Sequence, residues 1–105
     1  MDKKNLIAIT NKAKKLKSLL EQQYKLEQLV IFGSQIKNKA HAESDVDIAI
    51  ISNDFGHDYW RETSQVQKLA NKIDSRFEIH LFNQYDFNDP FNPLVSEVKN
   101  HQLSI

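Results

Sequence analysis

Two aspartates, Asp45 and Asp47, stand one residue apart at the head of the run Asp45-Val46-Asp47-Ile48-Ala49-Ile50-Ile51-Ser52. Side chains of an extended chain alternate between faces, so both carboxylates project to the same side. Unpaired charges beside so apolar a strand are costly without water or a cation. Magnesium takes carboxylate oxygens in an octahedral shell that it shares with phosphate, so the pair suits metal-assisted phosphate chemistry. Upstream, the run Leu29-Val30-Ile31-Phe32 stops at Gly33-Ser34. A glycine lets backbone come close to a phosphate chain, and the turn after it presents N–H and hydroxyl donors. A second metal that helps activate an attacking hydroxyl calls for a third carboxylate on an adjacent strand, and Glu78 is the candidate.

Each piece also has a plainer reading. A Gly-Ser pair is commonly a turn, and alternating acids are commonly the wet face of an edge strand. Glu78 and His80 share a strand face that solvent alone would explain. His80 reads as a neutral, hydrogen-bonded strand histidine, with contact to an acceptor or phosphate as the alternative. His41 reads as a solvated loop residue, and His57 and His101 show no ligand spacing. Tyr59 and Trp60 read as packing residues rather than a base-stacking platform. The functional reading rests on the combination of the parts.

The elements that must position these residues follow from periodicity. From about Lys3 to Gln28, Leu6, Ile9, Ala13, Leu16, Leu19, Leu20 and Leu26 recur near helical spacing with no Gly or Pro between them. One long amphipathic helix covering a sheet face is expected. Leu29 to Phe32 and Val46 to Ile51 are two short buried strands. Between them, Ser34 to Lys37 is expected to enter a helical turn and Asn38 to Ser44 to form a polar loop. Asp58 to about Asp74 traces a second amphipathic helix through Val66, Leu69, Ala70 and Ile73. Arg76 to Phe82 is a third strand, with Phe77, Ile79 and Leu81 on one face and Glu78 and His80 on the other. Asn83 to Pro93 is rich in turn residues, and Leu94 to about Asn100 forms a short last helix.

The chain has 105 residues, enough for one domain over residues 1–105 with a single modest core and no separate substrate-binding domain. Fourteen basic and fourteen acidic residues balance, which gives no global electrostatic case for nucleic-acid or membrane binding. Lys3, Lys4, Lys12, Lys14, Lys15 and Lys17 read as the solvated face of the first helix. The absence of cysteine excludes disulfides, thiolate catalysis and cysteine-based zinc sites, and is compatible with a reducing cytoplasm. No leader-type apolar segment or bilayer-length run is present, so a cytoplasmic protein is expected. Apolar helix faces on so short a chain make a homo- or hetero-oligomer plausible.

The segment Phe32-Gly33-Ser34, the stretch Gln35 to Ser44, and then Asp45-Val46-Asp47 resembles the signature of the polymerase-beta-like nucleotidyltransferases, and most of all their short form, the minimal nucleotidyltransferases. The resemblance extends over most of the chain. It implies an α/β (α+β) fold, a small mixed sheet with helices packed against it. It also implies transfer of a nucleoside monophosphate from a triphosphate with release of pyrophosphate. Carried over by position, Gly33 and Ser34 would bind the nucleotide. Asp45 and Asp47 would hold magnesium, two ions with Glu78 as the third acid, which would also help activate the acceptor. Asn38 stands where many members have glycine, and Glu78 where many have aspartate.

Short members of this family typically pair with a small helical HEPN-type toxin and act as its antitoxin, and some transfer AMP to a tyrosine of that partner. The leading expectation is therefore a magnesium- and ATP-dependent protein adenylyltransferase that silences a HEPN-type partner. Two alternatives stand beside it. One is an antitoxin that neutralises its partner by binding alone, and the other is transfer to a small molecule or RNA end with a partner subunit supplying the acceptor site. Neutral charge weighs against nucleic acid as a partner of the isolated chain.

Overall fold

Apolar side chains at helical spacing build the first layer. In the computed structural model, which describes residues 3–33, 45–100 and 102–105, α1 (Lys3–Leu20) buries Ile9, Ala13, Leu16 and Leu20 in one stripe. Each such large side chain contributes about 2 kcal/mol by leaving water. The helix stops at Leu20, short of the expected Gln28. Tyr24 N–H still donates to the Leu20 carbonyl at 2.8 Å, but Lys25 N–H then donates to Asp54 and the Lys25 carbonyl accepts from Ser52 Oγ. Tyr24 turns back onto Phe55, with ring centroids 5.0 Å apart, and Leu26 joins the core. These tertiary bonds outcompete another helical turn for a segment with no breaker residue.

The strands β1 (Gln28–Phe32), β2 (Val46–Ile51), β3 (Phe77–Phe82) and β4 (Gln102–Ser104) form one mixed sheet in the order β3-β2-β1-β4. β1 pairs antiparallel with β2 and with β4, whereas β2 and β3 run parallel. This is the α/β arrangement expected from the sequence, with one strand added. β4 had no signal of its own, because a three-residue edge strand with one half-buried leucine shows no usable alternation. It is fixed by backbone pairing to β1 and by Ile105 N–H donating to the Leu29 carbonyl at 2.9 Å.

Alternation divides the sheet into two faces. Leu29, Ile31, Val46, Ile48, Ile50 and Ile79 point to the side covered by α1 and α2 (Tyr59–Ile73). Val30, Phe32, Ala49, Ile51 and Phe82 point to the other side, which α3 (Gln84–Phe87) and α4 (Pro93–Asn100) cover through Phe87, Val95 and Val98. α3 lies inside the stretch expected to be only turns, where Asn83 caps it by accepting from Asp86 N–H at 2.8 Å. Asp58 caps α2 at its start, and Glu62 accepts from Gly56 N–H at 2.9 Å, which ties the preceding loop to the helix.

Two contacts place β3, the strand that carries Glu78. Asp74 ends α2 and accepts a forked pair of bonds from Arg76, Nη2 at 2.7 Å and Nε at 3.1 Å, while Lys12 of α1 reaches it at 3.1 Å. Gln67 of α2 lies along the outer edge of β3, donating to the Phe77 carbonyl at 2.6 Å and accepting from Ile79 N–H at 3.1 Å. Its amide plays the part of a further strand residue and covers part of an edge that would otherwise be open. The expected helical turn through Ser34 and Lys37, the loop from Asn38 to Ser44, and His101 lie outside the described residues.

Candidate active site

The site begins with strand register. In the parallel pair, Asp47 stands directly opposite Glu78 and Ala49 opposite His80, while on the other side Phe32 stands opposite Asp47. All of these belong to the sheet face whose apolar part α3 and α4 cover. Asp47 and His80 keep 25% and 21% of their side-chain surface, and Glu78 is exposed. A ligand can reach all three from solvent. Among the described residues, the grooves along α1, along α2 and around α3 are lined by other residues.

Side-chain atoms of Asp47, Glu78 and His80 converge within 4.8 Å of one another. His80 Nε2 lies 3.3 Å from Asp47 Oδ1, and the His80 ring meets the Phe32 ring edge-on with centroids 5.3 Å apart. Partial burial raises the Glu78 carboxyl above its ordinary pKa, and the neighbouring Asp47 charge raises it further. His80 opposes the shift, while a hydrogen bond with Asp47 and the charge of Asp45 add to it. Negative charge is thus concentrated here, which is the electrostatic condition a bound cation relieves. Carboxylate oxygens on two adjacent strands are the hard donors that a magnesium-type ion takes. The donor set fits a divalent metal.

Gly33 closes the site from β1. Its φ is +82°, a left-handed conformation, and a Cβ built there would lie 2.5 Å from Asp47 Oδ2. Glycine is required here on two counts, the backbone conformation and the volume the carboxylate occupies.

The structure therefore brings Gly33, Asp47 and Glu78 together. Asp45 lies just before β2, exposed, and its charge is felt at Glu78. Ser34, Asn38 and His41 lie outside the described residues. Tyr59 and Trp60, expected to pack, are 47% and 82% exposed and meet edge-on with centroids 5.7 Å apart. His57 is exposed in the turn before α2. The residue whose position the sequence understated is His80, read as an ordinary strand histidine. The available signal was its spacing from Glu78, which repeats the spacing of Asp45 and Asp47 on the neighbouring strand.

Comparison with known proteins bears on the fold that carries these residues. The family described as "Polymerase beta, Nucleotidyltransferase" matches residues 14–103. A chain of a solved toxin-antitoxin complex with AMP-PNP superposes with a TM-score of 0.65 at 26% identity, covering 90% of this chain and 69% of that one. A chain of a mutant of the toxin-antitoxin MntA-HpeT superposes with a TM-score of 0.58 at 22% identity, covering 89% of this chain and 70% of that one, and so shares the fold. No curated protein sequence matches. The family match starts within α1 and reaches into β4, so it takes in the whole sheet on which the acids converge. On that extent of agreement, the chain belongs to the polymerase beta nucleotidyltransferase family.

Proposed function

We propose that this chain is a magnesium- and ATP-dependent adenylyltransferase that moves AMP to a hydroxyl of a partner protein, a tyrosine of a HEPN-type toxin, and thereby acts as its antitoxin. The observation that carries the catalytic part is the pairing of Asp47 with Glu78 across the parallel strands at the partly exposed end of the sheet face, with the charge of Asp45 felt at Glu78. ATP as donor is supported by the AMP-PNP in a similar complex. A toxin as partner is supported by both similar structures being toxin-antitoxin complexes. The HEPN class and the tyrosine rest on the resemblance drawn from the sequence.

In this reading Gly33 and Ser34 bind the triphosphate, Gly33 through its backbone and Ser34 as a hydroxyl donor. Asp45, Asp47 and Glu78 hold the divalent ions, with two as the expected number. When bound, the metal neutralises phosphate charge and lowers the barrier to attack. The tyrosine oxygen forms a bond to the α-phosphorus, the bond from that phosphorus to the α,β-bridging oxygen breaks, and pyrophosphate leaves. Glu78, on the strand beside Asp47, takes the phenolic proton. The solvent exposure of Glu78 and the partial exposure of Asp47 suit an acceptor carried on another molecule.

The test is incubation of the chain with ATP labelled at the α-phosphate, magnesium and the protein encoded beside it. Label on a tyrosine of that protein, lost in Asp45→Asn and Asp47→Asn, is the expected result. Neutralisation of the partner retained in both variants with no label anywhere identifies binding alone as the mechanism. Label on RNA or a small molecule, and none on protein, moves the acceptor to those classes.

A further inference from the structure

We propose that His80 is a nitrogen ligand of the cation held by Asp47 and Glu78, shifting the site's preference toward divalent ions that take imidazole, such as nickel, relative to magnesium. The inference rests on the metal-dependent reading above and adds the identity of the ligand set. Three observations carry it. The first is distance: donor atoms of Asp47, Glu78 and His80 all lie within 4.8 Å of one another. Ligand atoms around an octahedral ion with bonds of about 2.1 Å are about 3 to 4 Å apart, so small side-chain rotations bring all three into one shell.

The second is orientation. His80 presents Nε2 to the carboxylate, 3.3 Å from Asp47 Oδ1, and its ring is held from the side by the edge-on contact with Phe32. Ala49, its register partner, is the smallest side chain on that part of the face and leaves the ring space over β2. The third is access, because 21% of the imidazole surface remains exposed and the ion arrives from the same side as for the carboxylates. A site of oxygen donors alone suits magnesium and manganese, whereas neutral imidazole suits iron, nickel, copper and zinc. One nitrogen on this strand face therefore shifts the balance away from magnesium.

The experiment uses the full chain without nucleotide, examined by pulsed electron paramagnetic resonance when loaded with Mn2+ and by isothermal titration with Ni2+ and Mg2+. Nitrogen-14 coupling to bound manganese is expected in the wild type and absent in His80→Gln. The same variant should lower the ratio of nickel to magnesium affinity by about tenfold, the scale on which ligand and near-ligand changes act. A wild-type protein that binds manganese in an Asp47-dependent manner without nitrogen coupling overturns the proposal and leaves His80 as a group that orients Asp47. An unchanged affinity ratio in His80→Gln overturns it equally. Manganese binding that Asp47→Asn leaves unaltered is a different failure, that of the metal site itself.

Discussion

Gly33 and Asp47 occupy complementary space: a methyl group on residue 33 would fall 2.5 Å from the Asp47 carboxylate oxygen. The antiparallel pairing of β1 and β2 that sets Phe32 opposite Asp47 carries the chain from Phe32 into Gly33 beside that carboxylate. The glycine is therefore part of the acid site as well as the end of a strand.

Gly33→Ala combines the left-handed backbone, which costs about 1 kcal/mol or more for a residue with a side chain, with the displacement of Asp47. The variant should lose nucleotidyl transfer at least about tenfold, on the scale of small misplacements in catalytic sites. Its melting temperature should fall by about 4–8 °C for each kcal/mol lost. Thermal unfolding and a transfer assay on the same sample check both.

Glu78 gives a prediction with opposite signs for stability and function. Its proton affinity is raised in the folded chain by partial burial and by Asp47, so ionising it disfavours the metal-free fold. The penalty is present above the raised folded pKa and vanishes as pH falls below the unfolded value. Metal-free Glu78→Gln should melt higher than the wild type at pH 8, with the difference closing on acidification. It should also be stabilised less by added magnesium. Thermal unfolding across pH, with and without the metal, reads all three.

The acids differed in how far the sequence could carry them. Asp45 was expected to open the second strand but lies just before β2. Asp47 was legible because alternation is a local property of one strand. So was the face shared by Glu78 and His80. That Asp47 faces Glu78 is a matter of register between strands separated by all of α2, and no local pattern encodes it. The family resemblance supplied the association, and the geometry came only from the sheet. The same limit applies to the end of α1, set by Asp54 and Ser52 from a distant turn. It applies also to β4, which exists only as a partner of β1.

Asp74 is the long-range tie that a linear reading missed. Its forked bonds from Arg76, together with the Lys12 contact, hold its carboxyl well below the ordinary range against the opposing effect of burial. A lowered folded pKa stabilises above the unfolded value of about 3.9 and is lost as pH falls through that region toward the folded value. Asp74→Asn should therefore cost about 2 kcal/mol at pH 7, the range for hydrogen bonds to charged groups. The difference from wild type should shrink below about pH 4. Urea unfolding at pH 7 and pH 3 measures it.

Gln67 is expected to guard the outer edge of the sheet. Gln67→Ala leaves the Phe77 carbonyl and the Ile79 N–H without their side-chain partner, at a cost of about 1–2 kcal/mol. It also leaves strand edge open to pairing with another chain. Lower stability in urea and a larger associated fraction by light scattering are the expected outcomes.

The account turns on chemistry at Asp47 and Glu78 delivered to another protein. Its most direct measurement is the intact mass of the neighbouring-gene protein after incubation with ATP and magnesium, with wild-type chain or with Asp47→Asn. The account predicts that the partner gains one or more whole adenylyl groups with the wild type and none with the variant. A partner mass unchanged by the wild-type chain, while the two proteins form a stable complex that silences the toxin, would contradict it.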